Sequence, residues 1–206
     1  MQYNPSLQPT RWSARLKATF CHEKLMGTTF RYIAETALES SGLGECQCCE
    51  RAGVVSYNYR GEIADPSAAA NPQLADEEPE IHAACADCIN AGFVRKSDYE
   101  IGEIQKLINA YASDQQNAAQ QYHRIPHIPL MMQREDWPLC CGDWCEFVGV
   151  PADYDESVRV PSQNQFWDRR PVEPHWDFEL KPESLREVCI FKCLSCDKTY
   201  FVWQPT

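Results

Sequence analysis

The sequence lacks the features by which several common classes of protein are recognised. No stretch approaches about 18 uninterrupted apolar residues, the length that a membrane-spanning helix needs. The first residues contain no positively charged segment followed by an apolar one, which a secretory signal requires. No glycine-rich loop has the pattern of a phosphate-binding site, and only 9 glycines occur in 206 residues. We therefore expect a cytoplasmic protein without a membrane partner.

Positive charge is also scarce. The chain has 19 Lys and Arg residues against 30 Asp and Glu residues, which gives a formal net charge of −11. A protein this acidic repels nucleic acid and anionic membranes, and it attracts basic partners. No basic stripe is interleaved with the aromatic residues, so nucleic acid is not an expected partner. The length is sufficient to bury a hydrophobic core.

Cysteine, in contrast, is abundant, with 12 residues. Disulfides are rare in a reducing cytoplasm, where clustered cysteines are typical of metal sites. Eight of the cysteines form four close pairs, which are Cys46 with Cys49, Cys85 with Cys88, Cys141 with Cys145, and Cys193 with Cys196. Three pairs have Cys-x-x-Cys spacing, and the pair that begins at Cys141 is one residue longer.

Structural zinc takes four ligands in a tetrahedron, usually thiolates about 2.3 Å from the metal. Four pairs therefore predict two sites and two structural Zn²⁺ ions. Pairing neighbours in sequence gives Cys46, Cys49, Cys85 and Cys88 in the first site, and Cys141, Cys145, Cys193 and Cys196 in the second. In the alternatives, Cys48 replaces a ligand of the first site and Cys140 one of the second. Cys21 and Cys189 are predicted to be core thiols.

The apolar pattern predicts an α+β fold of small, β-rich modules of zinc-ribbon or treble-clef type, with a central α-helix and long irregular loops. Residues 30–33 and 54–59 are expected to form strands, and Gly92 to cap a short helix. A longer helix is expected to begin at Ser97 and to extend to about Tyr122. It has an apolar stripe of Ile101, Ile104, Leu107, Ile108 and Tyr111. Two final strands are expected to flank Cys193 and Cys196 as a hairpin.

The chain is predicted to divide into an N-terminal extension, residues 1–29, and one domain, residues 30–206. That domain holds two zinc modules, with ligands between residues 46 and 88 in the first and between 141 and 196 in the second. An acidic loop over residues 61–80 and an irregular connection over residues 151–182 separate the ligand pairs. The tryptophans expected to pack around the modules are Trp137, Trp144, Trp167, Trp176 and Trp203.

Several short segments occur in a distinctive order along the chain. They are Phe30-Arg31-Tyr32, Cys46-Gln47-Cys48-Cys49, Cys85-Ala86-Asp87-Cys88-Ile89, Cys141-Gly142-Asp143-Trp144-Cys145-Glu146-Phe147-Val148-Gly149 and Phe191-Lys192-Cys193-Leu194-Ser195-Cys196. In this order they resemble the CbrC family of small bacterial zinc-binding proteins, which is linked to colicin tolerance. The resemblance implies a CbrC-like domain over residues 30–206. The chain departs from the family pattern at three positions, where the resemblance implies glycine in place of Glu50, proline in place of Ala86 and histidine in place of Cys140.

The resemblance implies tolerance to a toxin, and the net charge suggests a mechanism. Nuclease toxins bind phosphates, so their active surfaces are basic and attract an acidic protein. We therefore expect a non-enzymatic protein that confers tolerance or immunity to a bacterial, colicin-like or nuclease-type toxin by direct binding through an acidic surface. Candidate contributors to that surface are Asp65, Asp76, Glu77, Glu78, Glu80, Asp153, Asp155 and Glu156. Taken singly, each of these residues is also explained as a solvated loop residue.

Two other classes of function stay open. Zinc ribbons often bind nucleic acid or act in transcription, but the net negative charge opposes that function. A metal-dependent hydrolase needs a zinc ion with an open ligand position, whereas four cysteines close the coordination sphere. The sequence makes no prediction of oligomeric state.

Overall fold

The computed structural model describes residues 27–64, 81–128, 136–151, 167 and 188–203. Within these ranges the chain is a mixed α and β structure, with nine strands, three α-helices and a 3-10 turn at Glu35–Ala37. The prediction of a strand-rich, mixed fold is therefore confirmed. Most of the predicted extension (1–29), acidic loop (61–80) and connection (151–182) lies outside the described residues, as does Cys21.

A four-stranded antiparallel sheet is built around the long strand β2 (Val54–Ile63). The β-branched and aromatic residues predict this strand, and Tyr57 and Tyr59 point into the core. Strand β3 (Ile81–Cys85) pairs with one edge of β2. Strands β1 (Gly42–Gly44) and β4 (Val94–Lys96) pair with the two ends of its other edge.

The stretch of β2 between β1 and β4 is covered by the chain that follows the helices. The backbone N–H of His127 donates to the carbonyl of Asn58 at 2.8 Å. The hydroxyl of Tyr59 donates to the carbonyl of His123 at 2.8 Å. These bonds satisfy polar groups of a central strand that would otherwise lie open at this edge.

Helix α1 (Ala86–Ala91) follows β3 directly, and it ends where the sequence predicts. Gly92 has a φ of 74°, and its N–H donates to the carbonyl of Ile89 at 3.1 Å. The N–H of Phe93 donates to the carbonyl of Cys88 at 3.0 Å. This pair of bonds is the Schellman arrangement, in which glycine adopts the left-handed conformation at no steric cost.

The longer helix is interrupted. Helix α2 covers Asp98–Tyr111, Ala112 is extended, and a separate helix α3 covers Gln115–Tyr122. The side chain of Asp114 accepts a hydrogen bond from the N–H of Asn117 at 2.9 Å, and an aspartate in this position begins a new helix. The predicted end near Tyr122 is right, but the prediction of one continuous helix is wrong. None of the helices in the described ranges combines the length and apolar character that crossing a bilayer requires.

The second half of the chain forms two smaller sheets. Strands β5 (Leu139–Cys140) and β6 (Asp143–Trp144) make a tight hairpin. Strands β7 (Glu146–Gly149), β8 (Val188–Lys192) and β9 (Thr199–Trp203) form a three-stranded antiparallel sheet in that order. The hairpin of β8 and β9 confirms the predicted pair of strands around Cys193 and Cys196.

The predicted strand near residue 30 is not formed. Phe30 and Ile33 make only isolated bridges, and Ile33 pairs in parallel with Phe147 of β7. Two backbone hydrogen bonds join Phe147 to this segment. The N–H of Ala34 donates to the carbonyl of Phe147 at 2.9 Å, and the N–H of Phe147 donates to the carbonyl of Tyr32 at 2.8 Å. The segment is therefore a short cover on the edge of β7, which is too brief for a strand.

A single cluster of buried residues joins both halves of the described chain. The ring of Trp137 lies 5.1 Å from that of Phe191 and 6.4 Å from that of Phe147, measured between centroids. Trp144 packs on Tyr122 at 5.5 Å. Trp137, Trp144 and Trp167 are buried as the sequence predicts. Trp176 and the side chain of Trp203 lie outside the described part of the structure.

Two glycines provide a test of this packing. A Cβ at Gly61 of β2 would overlap the backbone carbonyl of Arg95, which cannot move without separating β2 from β4. We expect Gly61→Ala to lower the free energy of unfolding by about 2 kcal/mol. At Gly102 in α2 no atom lies within 4 Å of a Cβ, so Gly102→Ala is expected to stabilise the protein by about 1 kcal/mol. Urea denaturation of both variants measures the changes, and equal effects would contradict this account.

Candidate metal centres

Four cysteine sulfurs meet at each of two places in the described residues. The first group, site one, consists of Cys46, Cys49, Cys85 and Cys88, whose sulfur atoms all lie within 4.8 Å of one another. The sulfurs of Cys46 and Cys88 are 3.8 Å apart, and those of Cys49 and Cys85 are 4.0 Å apart. The structure therefore brings together the four cysteines that pairing in sequence predicts.

Site one is assembled from a turn and the junction of a strand with a helix. In the turn, the N–H of Cys46 donates to the carbonyl of Arg51 at 3.0 Å. The N–H of Glu50 donates to the carbonyl of Cys46 at 2.8 Å. Cys85 ends β3 and caps α1, which places Cys88 one turn further along the helix. The N–H of Cys85 donates to the sulfur of Cys46 at 3.2 Å, so the backbone also joins the two halves of the site.

Gln47 anchors the turn to the first sheet. Its side-chain oxygen accepts hydrogen bonds from the N–H groups of His82 at 2.6 Å and Ala83 at 2.9 Å. Its own N–H donates to the carbonyl of Ala83 at 3.3 Å. The outer edge of β3 is therefore paired with the cysteine turn, which fixes the distance between the two cysteine pairs.

Glu50 occupies a position that favours glycine. Its φ is 58°, a left-handed conformation that costs roughly 1 kcal/mol for a residue with a side chain. Glycine would adopt this backbone without that cost. Cys48 lies in the same turn but outside the group of four, and its sulfur is 3.8 Å from the carbonyl oxygen of Phe93.

Arg51 contacts site one, which the sequence did not predict. Its Nε lies 3.3 Å from the sulfur of Cys49, and one Nη lies 3.3 Å from the sulfur of Cys85. The same Nη donates to a carboxylate oxygen of Asp87 at 2.6 Å. A guanidinium bonded to two sulfurs offsets part of the negative charge that four thiolates bring together. Its position two residues after Cys49 was the available signal.

The second group, site two, contains Cys140, Cys141, Cys193 and Cys196, also within 4.8 Å of one another. The sulfur of Cys140 lies 3.8 Å from that of Cys141 and 3.7 Å from that of Cys196. Two hairpins meet here, since Cys140 and Cys141 lie at the tip of β5 and β6, and the others follow β8. The pairing of residues near 141 with the last two cysteines agrees with the sequence prediction.

The membership of site two needs one correction, because Cys140 takes the place predicted for Cys145. Two hydrogen bonds fix the backbone of Cys145. Its N–H donates to the carbonyl of Pro138 at 2.9 Å, and its carbonyl accepts from the indole N–H of Trp137 at 2.7 Å. These bonds hold Cys145 in the core, where it is fully buried. Its burial raises the pKa of the thiol well above the ordinary range.

The hairpin turn explains how two consecutive cysteines serve one site. Consecutive side chains on a strand point to opposite faces, which would separate Cys140 from Cys141. Cys141 and Gly142 both have positive φ, 55° and 84°, as the two-residue type I′ turn requires. The left-handed backbone at Cys141 turns its side chain back toward that of Cys140. A Cβ on Gly142 would overlap the side chain of Ser113, so glycine is also needed for space.

Site two has its own hydrogen-bond donors. The N–H groups of Ser195 and Cys196 each lie 3.3 Å from the sulfur of Cys193. The hydroxyl of Tyr200 donates to the sulfur of Cys140 at 3.2 Å. Such N–H and O–H donors stabilise the thiolate form that a metal needs.

The first of the ordered sequence segments, Phe30-Arg31-Tyr32, supports the same hairpin. The hydroxyl of Tyr32 donates to one oxygen of Asp143 at 2.8 Å, and Arg31 donates to the other at 3.1 Å. Asp143 also accepts from the N–H of Trp144 at 2.9 Å. Because Asp143 begins β6 directly after the turn, these bonds hold the cysteine hairpin against the rest of the chain.

The pKa values of the thiols differ within each site. Hydrogen bonds from the side chain and backbone of Arg51 lower the pKa of Cys49 to about 6, and the backbone N–H of Lys198 lowers that of Cys196 to about 7. The neighbouring thiols of Cys196 and Cys140 raise the pKa of Cys141 to about 12. Burial raises the pKa of Cys88 well above its ordinary value. Without a cation, therefore, neither group reaches four thiolates at neutral pH.

Cys140 was one of the alternatives that the sequence left open for site two. Regular spacing favoured Cys145 instead, because a spacing rule does not represent the reversal of the chain at Cys141 and Gly142.

Both groups fit a tetrahedral metal ion. Zinc bound to sulfur at about 2.3 Å gives a tetrahedron with edges of about 3.8 Å. The observed sulfur–sulfur separations of 3.7, 3.8 and 4.0 Å match that edge, and a disulfide would need sulfurs only about 2.05 Å apart. Each group of four cysteines can therefore hold one metal ion.

Comparison of the chain with family models, with curated proteins and with solved structures gives no match.

The raised pKa values predict how metal binding depends on pH. Thiols such as Cys141 and Cys88 carry protons at pH 7, and a metal must displace them. We expect roughly two to three protons to be released per ion, and the apparent affinity to rise with pH. Calorimetric Zn²⁺ titrations in buffers of different ionisation enthalpy measure this number. Release of no protons at pH 7 would contradict it.

Proposed function

We propose that this chain binds two structural Zn²⁺ ions, one in each four-cysteine site, and acts by binding a partner, without catalysis. The observation that carries the zinc assignment is the matching geometry of two closed groups of four sulfurs. A tetrahedral set of four sulfurs is typical of zinc or of iron. Four cysteines leave no open ligand position for a substrate or a reactive water, which supports a structural role for the ions.

The location of the two sites supports the same proposal. Each ion would join segments that are distant in sequence, a turn with β3 and α1 in site one, and two hairpins in site two. Binding of structural zinc can contribute about 10 kcal/mol or more to folding. The order of cysteine turn, hairpin and helix in site one supports a treble clef, and the position of Cys193 and Cys196 between β8 and β9 supports a zinc ribbon.

Family membership is part of the proposal, and the ordered segments of the sequence support it over residues 30–206. The chain departs from the CbrC pattern at three positions, where Glu50, Ala86 and Cys140 replace the expected glycine, proline and histidine. The backbone of Glu50 has a positive φ that favours glycine, Ala86 is the first residue of α1, where proline is favoured, and Cys140 lies in site two.

The partner proposed on this basis is a basic toxin. Eight deprotonated ligands and two Zn²⁺ ions change the formal charge from −11 to about −15. Among the described residues, the exposed carboxylates of Glu45, Glu50 and Asp87 lie around site one. The loop acids named in the sequence analysis, residues 65–80 and 153–156, lie outside the described residues. The charge favours a colicin-like or nuclease-type toxin over nucleic acid as a partner.

A matched pair of variants tests the zinc sites. We expect Cys140→Ala to keep only one ion after challenge with a chelator, because site two loses a ligand. Cys145→Ala removes a sulfur outside the group and is expected to keep both ions, although stability falls by about 1–2 kcal/mol from the lost packing. Metal content is measured by plasma mass spectrometry, and a visible spectrum separates colourless zinc from coloured iron. Retention of both ions by Cys140→Ala and loss in Cys145→Ala would overturn the assignment.

A second experiment tests the partner. The zinc-loaded protein is mixed with catalytically inactive nuclease domains of colicins at low salt. We expect a one-to-one complex with a cognate domain that weakens steeply as salt rises, since charge drives the encounter. A charge-reversed variant, Glu45→Lys with Glu50→Lys, tests the face around site one. Absence of any complex with these nuclease domains at micromolar concentration would contradict the toxin proposal and would leave the zinc assignment unaffected.

A further inference from the structure

The two sites differ in how their sulfurs are protected. In site one, the guanidinium of Arg51 contacts the sulfurs of Cys49 and Cys85. The backbone N–H of Cys85 donates to the sulfur of Cys46. The fourth sulfur belongs to Cys88, which is only 2% exposed. Every sulfur of site one is therefore either hydrogen-bonded to an N–H group or buried.

Site two has one sulfur without either protection. Tyr200 donates to Cys140, two backbone N–H groups donate to Cys193, and the N–H of Lys198 donates to Cys196. Cys141 is exposed, and its contacts are with the other three sulfurs of the site. Within the described part of the chain, no N–H or O–H group reaches the sulfur of Cys141.

Hydrogen-bond donors withdraw electron density from a thiolate and lower its nucleophilicity, whether or not a metal is bound. Four thiolates around one divalent ion also carry a net charge of about −2, which makes the least protected sulfur electron-rich. The exposed position of Cys141 at the tip of the β5–β6 turn gives a reagent direct access. The turn is fixed by the bond from Ser113 N–H to the carbonyl of Gly142 at 3.0 Å, so no opening of the fold is required.

We propose that Cys141 is a modification site for small, soft electrophiles, and that its alkylation releases the ion of site two while site one keeps its own. The inference rests on the proposed binding of zinc. With iodoacetamide, the Cys141 thiolate attacks the methylene carbon, a carbon–sulfur bond forms, and iodide leaves with the electrons of the carbon–iodine bond. The product is a neutral thioether, which is a poor zinc ligand, so the site loses one of its four anionic donors.

The experiment begins with protein that contains two Zn²⁺ ions per chain, which establishes the zinc proposal independently. The protein is treated with iodoacetamide under native conditions, and released zinc is followed with a chromogenic chelator. Samples are quenched, unfolded, labelled with isotopically heavy reagent and digested, so that mass spectrometry gives the rate at each cysteine. We expect Cys141 to react at least about tenfold faster than Cys49 and Cys196, with release of one ion in step with its modification.

Reaction of Cys49 or Cys196 before Cys141, or release of both ions at one rate, would overturn the inference even with both zinc sites intact. Alkylation of Cys48, which lies outside both groups, is expected to release no zinc, and its rate provides an internal reference. A preparation without two bound ions would instead overturn the zinc proposal.

A matched variant tests the reason for the difference. Arg51→Met removes the guanidinium from site one, and we expect the alkylation rate of Cys49 to rise toward that of Cys141. Tyr200→Phe removes the donor to Cys140 and is expected to accelerate loss of the ion from site two while site one is unaffected. If either variant retains two ions and the rates do not change, protection by hydrogen-bond donors is not the cause and the inference fails.

Discussion

Repulsion among cysteine sulfurs is the constraint on which the rest of this structure depends. Four thiolates cannot lie within 4.8 Å of one another without a cation, because each raises the cost of ionising the next. Hydrogen bonds with the thiols of Cys196, Cys140 and Cys193, together with the charge of Cys140, raise the pKa of Cys141 to about 12. The strands that carry or flank the cysteines of site two are short, with two to five residues each.

Much of this arrangement follows from local sequence. The aromatic and β-branched run of β2, the apolar stripe of α2 and the Gly92 cap each depend on residues within one element, and the structure has them where the patterns predict. The Cys-x-x-Cys pairs are equally local, which is why site one could be predicted from spacing alone. The division of the helix at Asp114 was missed because a polar run is compatible with either continuation or a new start.

The remainder depended on contacts that no local pattern contains. Spacing favours Cys145 over Cys140. The observed membership follows instead from the positive φ of Cys141 and from the bonds that fix Cys145 to Trp137 and Pro138. Arg51 contacts the sulfur of Cys85, which is 34 residues away. The local sequence around Cys46 and Cys49 cannot show this contact. The two sites thus reach a similar arrangement of sulfurs with different hydrogen-bond donors. Site one has a guanidinium and one backbone N–H, and site two has backbone N–H groups and a tyrosine hydroxyl.

The contact between Gly142 and Ser113 carries a consequence for how this chain can diverge. The break between α2 and α3 receives the turn that presents Cys141, and a Cβ at position 142 would occupy the place of the Ser113 side chain. The two positions are 29 residues apart, yet neither can enlarge alone. In related sequences, positions 113 and 142 are therefore expected to covary, and a helix that runs unbroken through residue 113 implies a different route for the cysteine hairpin.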